Sequence, residues 1–161
     1  MKMIVFKGTQ ISLPPVFRTM IGSWEIEYEF KLPKDGYEVD AVNQEDWLKL
    51  LGVKPKYLQP KISSRMIGFR WDIKAMRYEF CFYWHDADGS KHYSLPVTTS
   101  YGDIRVRIVG DGRLGGQLTL QVGDIKFPFP YSGNRMYLIN TWWGGTPMMP
   151  KTMIYDMKKI T

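Results

Sequence analysis

Along WEIEYEFKL, residues 24 to 32, apolar and charged positions alternate without a break: Trp24, Ile26, Tyr28, Phe30 and Leu32 against Glu25, Glu27, Glu29 and Lys31. A period of two is that of a strand with one buried and one wet face. The same alternation runs through MRYEFCFYWHD, with Met76, Tyr78, Phe80, Phe82 and Trp84 on one side and Arg77, Glu79, Cys81, Tyr83 and His85 on the other. Here the second face is itself partly aromatic. Asp88-Gly89 supplies the positive φ angles of a tight turn, so the chain is expected to return as a strand through His92, Tyr93 and Leu95. Shorter strand patterns begin at Ile104, Gln117, Ile125, Arg135 and Thr152, with turn residues between them at the spacing of a β-sandwich. One segment breaks the pattern. In EDWLKLLG, residues 45 to 52, Trp47, Leu50 and Leu51 share a helical face, Asn43 or Gln44 stands near the start and Gly52 at the end, which predicts one short helix.

Composition agrees with a sheet protein. The 161 residues include 15 Gly and 10 Pro, and 15% are aromatic, which suits a single domain, residues 1–161, built of strands and turns. Cys81 is the one cysteine, so no disulfide forms within the chain. The net charge is +6, but the 22 Lys and Arg are scattered, and even Arg65, Arg70, Arg105 and Arg107 fall on two separate segments. Scattered charge without a recognition motif gives no ground to expect a nucleic-acid partner. No apolar run reaches the roughly 20 residues of a membrane helix, so no membrane partner is expected. The apolar block Met3 to Phe6 is shorter than a signal-peptide core, which points to synthesis and residence in a cytoplasm or release from it.

Candidate chemistry is sparse. Glu25, Glu27 and Glu29 project to one side at about 7 Å spacing, a separation at which carboxylate pairs act on glycosidic bonds. The strand lacks an accompanying Asp and reads as a solvated face. His85 and His92 with Asp86 and Asp88 offer metal-ligand types, but DADG reads as a turn and lacks the acid that closes a calcium loop. No metal and no cofactor are expected, and no nucleophile elbow is present.

The end of the chain carries a resemblance. A strand from Tyr137 to Trp142, then Trp143-Gly144-Gly145, then Pro150-Lys151-Thr152-Met153 and an alternating strand with Met153, Tyr155 and Met157 inward resembles the C-terminal signature of concanavalin A-like jelly rolls. The lectin and glucanase-like members in gut Bacteroidota and their phages, including crAss-like phage virion proteins, carry that signature. The segments DWLKLLGVKP, SSRMIGFRWDI (with Arg65, Gly68, Phe69 and Arg70) and MRYEFCFYWHDADGSKHY resemble the middle of the same small proteins, so the likeness spans residues 45 to 160. Where that family commonly has His-Asp before the last strand, this chain has Lys151-Thr152. The resemblance implies an all-β jelly-roll sandwich with one short helix. The family's glucanase motif of two glutamates around an aspartate has no counterpart here.

A lectin-type site stacks sugar rings on exposed aromatics beside polar groups. Trp142 and Trp143 are adjacent, so in a strand one of them faces away from the core. Tyr83, His85, Tyr93, Tyr131 and Asn134 are the residues expected to complete such a surface for a glycan or a protein partner. With no catalytic set, the expectation is a non-enzymatic virion protein of a phage, either capsid decoration or fibre-associated. It would assemble in the host cytoplasm against other virion chains or copies of itself. The alternatives are a stand-alone carbohydrate-binding module and, third, a glycoside hydrolase or lyase.

Overall fold

The computed structural model describes residues 1–7, 12–37, 47–56, 61–139 and 153–161. Thirteen strands are described: β1 (Lys2–Val5), β2 (Thr19–Met20), β3 (Trp24–Lys31), β4 (Leu48–Lys54), β5 (Arg65–Asp72), β6 (Arg77–His85), β7 (Lys91–Tyr93), β8 (Thr98–Ser100), β9 (Asp103–Gly110), β10 (Gln117–Val122), β11 (Ile125–Pro130), β12 (Met136–Ile139) and β13 (Met153–Lys159). They pair antiparallel into two sheets, one ordered β1-β13-β3-β9-β10-β11 and the other β2-β12-β4-β5-β6-β7, with β8 also pairing β6. The chain is an antiparallel β-sandwich of the jelly-roll class.

The alternating stretches behave as their pattern dictates. Ile26 and Phe30 of β3, Val106 and Ile108 of β9, Leu120 and Val122 of β10 and Tyr155 of β13 line one inner face. Ile67 and Phe69 of β5 and Tyr78, Phe80 and Phe82 of β6 line the other. Aromatic rings knit the sheets at one end, where Phe82 and Trp84 of β6 meet Phe127 of β11 at centroid distances of 5.2 and 5.3 Å. The outward glutamates of β3 are a solvated, ion-paired face: both carboxylate oxygens of Glu25 accept from the Arg107 guanidinium at 2.7 and 2.9 Å, and Glu27 lies 3.5 Å from Arg105.

The helix expected over residues 45 to 52 is not formed; from Leu48 this segment is the central strand β4. A β-bulge explains the helix-like spacing. Lys49 pairs with Gly68 and Leu51 with Ile67, so Leu50 is the extra residue between them. Two consecutive leucines therefore face the same core, and an inward set of Leu48, Leu50, Leu51 and Val53 imitates a period of 3.6. Pairing with β12 on one flank and β5 on the other ties this segment into the sheet as a strand. Among the described residues no helix is long and apolar enough to cross a membrane.

Leu50 is fully buried at that bulge. Leu50→Ala is expected to cost about 2–5 kcal/mol of unfolding free energy, read from the midpoint shift in urea with an unchanged slope.

Candidate functional site

Alternation on β5 and β6 sends half of their side chains to the outer face of the seven-stranded sheet. That face is also buried. Trp47, Met66, Cys81, Tyr83 and Ile139 form a second apolar cluster there, separate from the core. One ladder row runs across five strands as Ile139, Gly52, Met66, Tyr83 and Tyr93. The next runs Lys49, Gly68, Cys81, and the third Arg70, Glu79, Thr99. Two glycines let this surface sit low. A Cβ on Gly52 would lie 2.4 Å from Met66 Cγ and 2.7 Å from the Arg65 carbonyl oxygen, and one on Gly68 would lie 2.8 Å from Cys81 Sγ.

Polar groups are set into this apolar floor. Lys49 is only 4% exposed; its Nζ donates to the Trp47 carbonyl at 3.2 Å and stands 4.4 Å from the centre of the Tyr83 ring. Arg70 stacks its guanidinium 4.2 Å over Trp47 and pairs with Glu79 at 2.8 Å. Tyr83 stacks against Tyr93 at 6.1 Å and meets His85 edge-on at 5.6 Å. His85 Nδ1 lies 2.9 Å from Ser64 Oγ, both groups buried. Arg65 closes this corner by donating to the His85 carbonyl oxygen at 2.6 Å and to that of Ser64 at 3.3 Å.

Burial first, and then the surrounding charges of Lys49, Lys61, Lys91 and Arg65, push the His85 imidazole down to about 4. It is a neutral ring at ordinary pH. Burial likewise holds the Cys81 thiol well above its usual range, so it is an inert packing group rather than a nucleophile.

The sequence-based candidates separate. Tyr83, His85 and Tyr93 come together on this face as adjoining rings. Tyr131 does not join them: it is buried with the core, edge-on to Trp24, accepting the indole N–H at 2.9 Å and donating to the Asn134 carbonyl at 2.9 Å. Asn134 is exposed in the loop after it. Trp142 and Trp143 lie outside the described residues. His85 and His92 are split by the alternation of the hairpin. His92 stacks on Trp84 and bonds Asp86 at 2.6 Å, while Asp88 caps its own turn at the Ser90 amide. Among the described residues no three potential ligands converge on a metal position. Lys49, Ser64 and Arg70 were missed as site residues because a Leu-Lys-Leu-Leu run and a loop serine carry no signal until the bulge and the ladder bring them beside β6.

No family model matches the sequence, and no curated protein matches it. Solved structures do match. A doubly substituted variant of the alginate lyase Aly36B, in complex with an alginate tetrasaccharide, superposes with a TM-score of 0.63 at 10% identity, over 98% of this chain and 78% of that one. A second variant, in complex with an alginate trisaccharide, gives 0.59 at 11% identity, over 99% and 81%. The alginate lyase from Klebsiella pneumoniae gives 0.52 at 12% identity over 85% of this chain, which spans 59% of that enzyme. This chain has the fold of alginate lyases. The expectation of a domain without catalytic activity is overturned by that likeness, since the sandwich is one on which carbohydrate-cleaving enzymes are built.

Acid should expose the His85 corner. With a folded pKa below the ordinary 6.5, the unfolded chain takes up the proton first, so the contribution is complete above about pH 6.5 and lost as pH falls towards about 4. Over that interval the protein is expected to lose about 3 kcal/mol of stability from this group, and His85→Gln to flatten the profile, as read by urea denaturation at stepped pH.

Proposed function

We propose that this chain is a carbohydrate-active jelly roll that binds acidic, uronate-bearing polysaccharide on the outer face of the seven-stranded sheet and cleaves it by β-elimination. The observation that carries the reading is the convergence, on one buried sheet face, of a neutral imidazole (His85) and a cation (Lys49) on the same phenol (Tyr83), at 5.6 Å from its ring centre to that of His85 and 4.4 Å to the Lys49 ammonium. The likeness of fold to alginate lyases supports it.

Elimination from a uronate removes the proton at C5, breaks the bond from C4 to the glycosidic oxygen, forms a C4–C5 double bond and returns a proton to the departing oxygen. The chemistry needs positive charge or donors near the carboxylate, where negative charge develops, and a group able to pass protons. It needs no pair of carboxylates. Lys49 and His85 are suited to the first role and Tyr83 to the second. Tyr93, 56% exposed and stacked on Tyr83, is the rim on which a sugar ring would lie.

A panel of uronate polysaccharides assayed by the ultraviolet absorbance of the new double bond tests the reading. Cleavage is expected, and Tyr83→Phe is expected to lower turnover by at least about a hundredfold while oligosaccharide binding persists. Neither cleavage nor binding of any acidic glycan would sink it. Binding without cleavage would reduce it to the stand-alone carbohydrate-binding module, a reading that the exposed Tyr93 favours on its own. Tyr93→Ala is expected to weaken oligosaccharide affinity by about tenfold in calorimetry, with the fold intact.

The setting is part of the proposal. The sequence resemblance to small phage-borne jelly rolls supports a virion component, assembled in the host cytoplasm against other virion chains or copies of itself. Mass spectrometry of purified particles checks it.

A further inference from the structure

Ser64 sits immediately before β5, fully buried, and its carbonyl accepts the His85 amide at 3.0 Å. Its hydroxyl has one partner among the described residues, His85 Nδ1 at 2.9 Å. His85 Nε2 has no hydrogen-bond partner among them, but it is not one of their fully buried unpartnered atoms, so a proton there reaches solvent at the surface of the face, whereas Ser64 is fully buried. A hydroxyl carries one proton and two lone pairs, and a buried polar hydrogen left without an acceptor costs on the order of 1–3 kcal/mol. If Nδ1 were the donor, the Ser64 proton would be stranded. Its one acceptor is Nδ1 itself, so Ser64 Oγ–H donates, Nδ1 receives the bond on its lone pair, and the neutral ring bears its proton on Nε2.

We infer that Ser64 is a positioning residue that locks His85 as its Nε2–H tautomer, so that the outer face of the seven-stranded sheet presents a neutral N–H donor. The opposite tautomer would offer a lone pair there, which is the base form of histidine. The donor form suits an acceptor, the carboxylate or ring oxygen of an acidic sugar, and this part of the inference rests on the function proposed above. Burial first, and then the charges of Lys49, Lys61, Lys91 and Arg65, resist a second proton, so the donor remains uncharged. Arg65, bonded to the carbonyls of both Ser64 and His85, ties the two residues to one backbone frame.

The test uses the full chain, labelled with nitrogen-15, and reads the His85 ring nitrogens by long-range proton–nitrogen correlation without any sugar. The expected result is protonated Nε2 and unprotonated Nδ1 in the unaltered protein, a shift towards Nδ1–H in Ser64→Ala, and the original pattern in Ser64→Thr. Protonated Nδ1 in the unaltered protein would overturn the inference, as would an Ser64→Ala spectrum with the same tautomer. Titration with a uronate oligosaccharide then separates this inference from the functional one. Ser64→Ala should bind about tenfold more weakly and Ser64→Thr normally. If the tautomer responds to Ser64 as expected while no variant binds oligosaccharide, the positioning role stands and the glycan reading fails.

Discussion

The seven-stranded sheet is buried on both faces, and this double burial governs the rest of the structure. Its inner face meets the six-stranded sheet through Phe69, Tyr78, Phe80 and Phe82, as any sandwich requires. Its outer face is closed as well, by Trp47, Met66, Cys81, Tyr83 and Ile139. Burial there takes water from Lys49, Ser64 and His85 and from much of Arg70 and Glu79, so these groups find partners within the chain. Lys49 finds the Trp47 carbonyl and the Tyr83 ring, Arg70 finds Glu79 and the Trp47 ring, and His85 finds Ser64. The site is the set of solutions to that requirement.

The two outer faces illustrate the difference that water makes. On the six-stranded sheet, Glu25 and Glu27 pair with Arg107 and Arg105, and each pair has an arginine a third or more exposed, where such pairs contribute at most about 1 kcal/mol and are screened by salt. Charge there serves solubility. On the seven-stranded sheet a single lysine is held against a phenol with almost no exposure, and the same kind of group becomes a strong local field. Chemistry is expected where desolvation makes charges matter, which is why the glutamates of β3 are scaffold and the Lys49, Tyr83 and His85 face is the candidate site.

How much of this the sequence carried depends on the element. The alternation of β3 and β6 named their inward residues, because a period of two has one reading when every second residue is large and apolar; Met76 is the exception, 52% exposed in the turn before β6 begins. The residues from Leu48 to Val53 misled, since a bulge at Leu50 turned two leucines the same way and produced helical spacing in a strand. Tyr83, His85 and Tyr93 were legible as a group because one hairpin carries all three. Tyr131 was not separable from them: nothing in its neighbours shows that Trp24, 107 residues earlier, takes its hydroxyl.

By itself the sequence determined the all-β class, alternating strands such as β3 and β6, the hairpin at Asp88-Gly89 and the aromatic character of the second face of β6, because these follow from local periodicity and turn chemistry. Only the tertiary structure decided that this second face is buried, that Lys49 lies over Tyr83, and that Ser64 meets His85 from 21 residues away. Those facts depend on which strands become neighbours and in what register. Ladder pairing between distant segments sets both, and no local pattern encodes it.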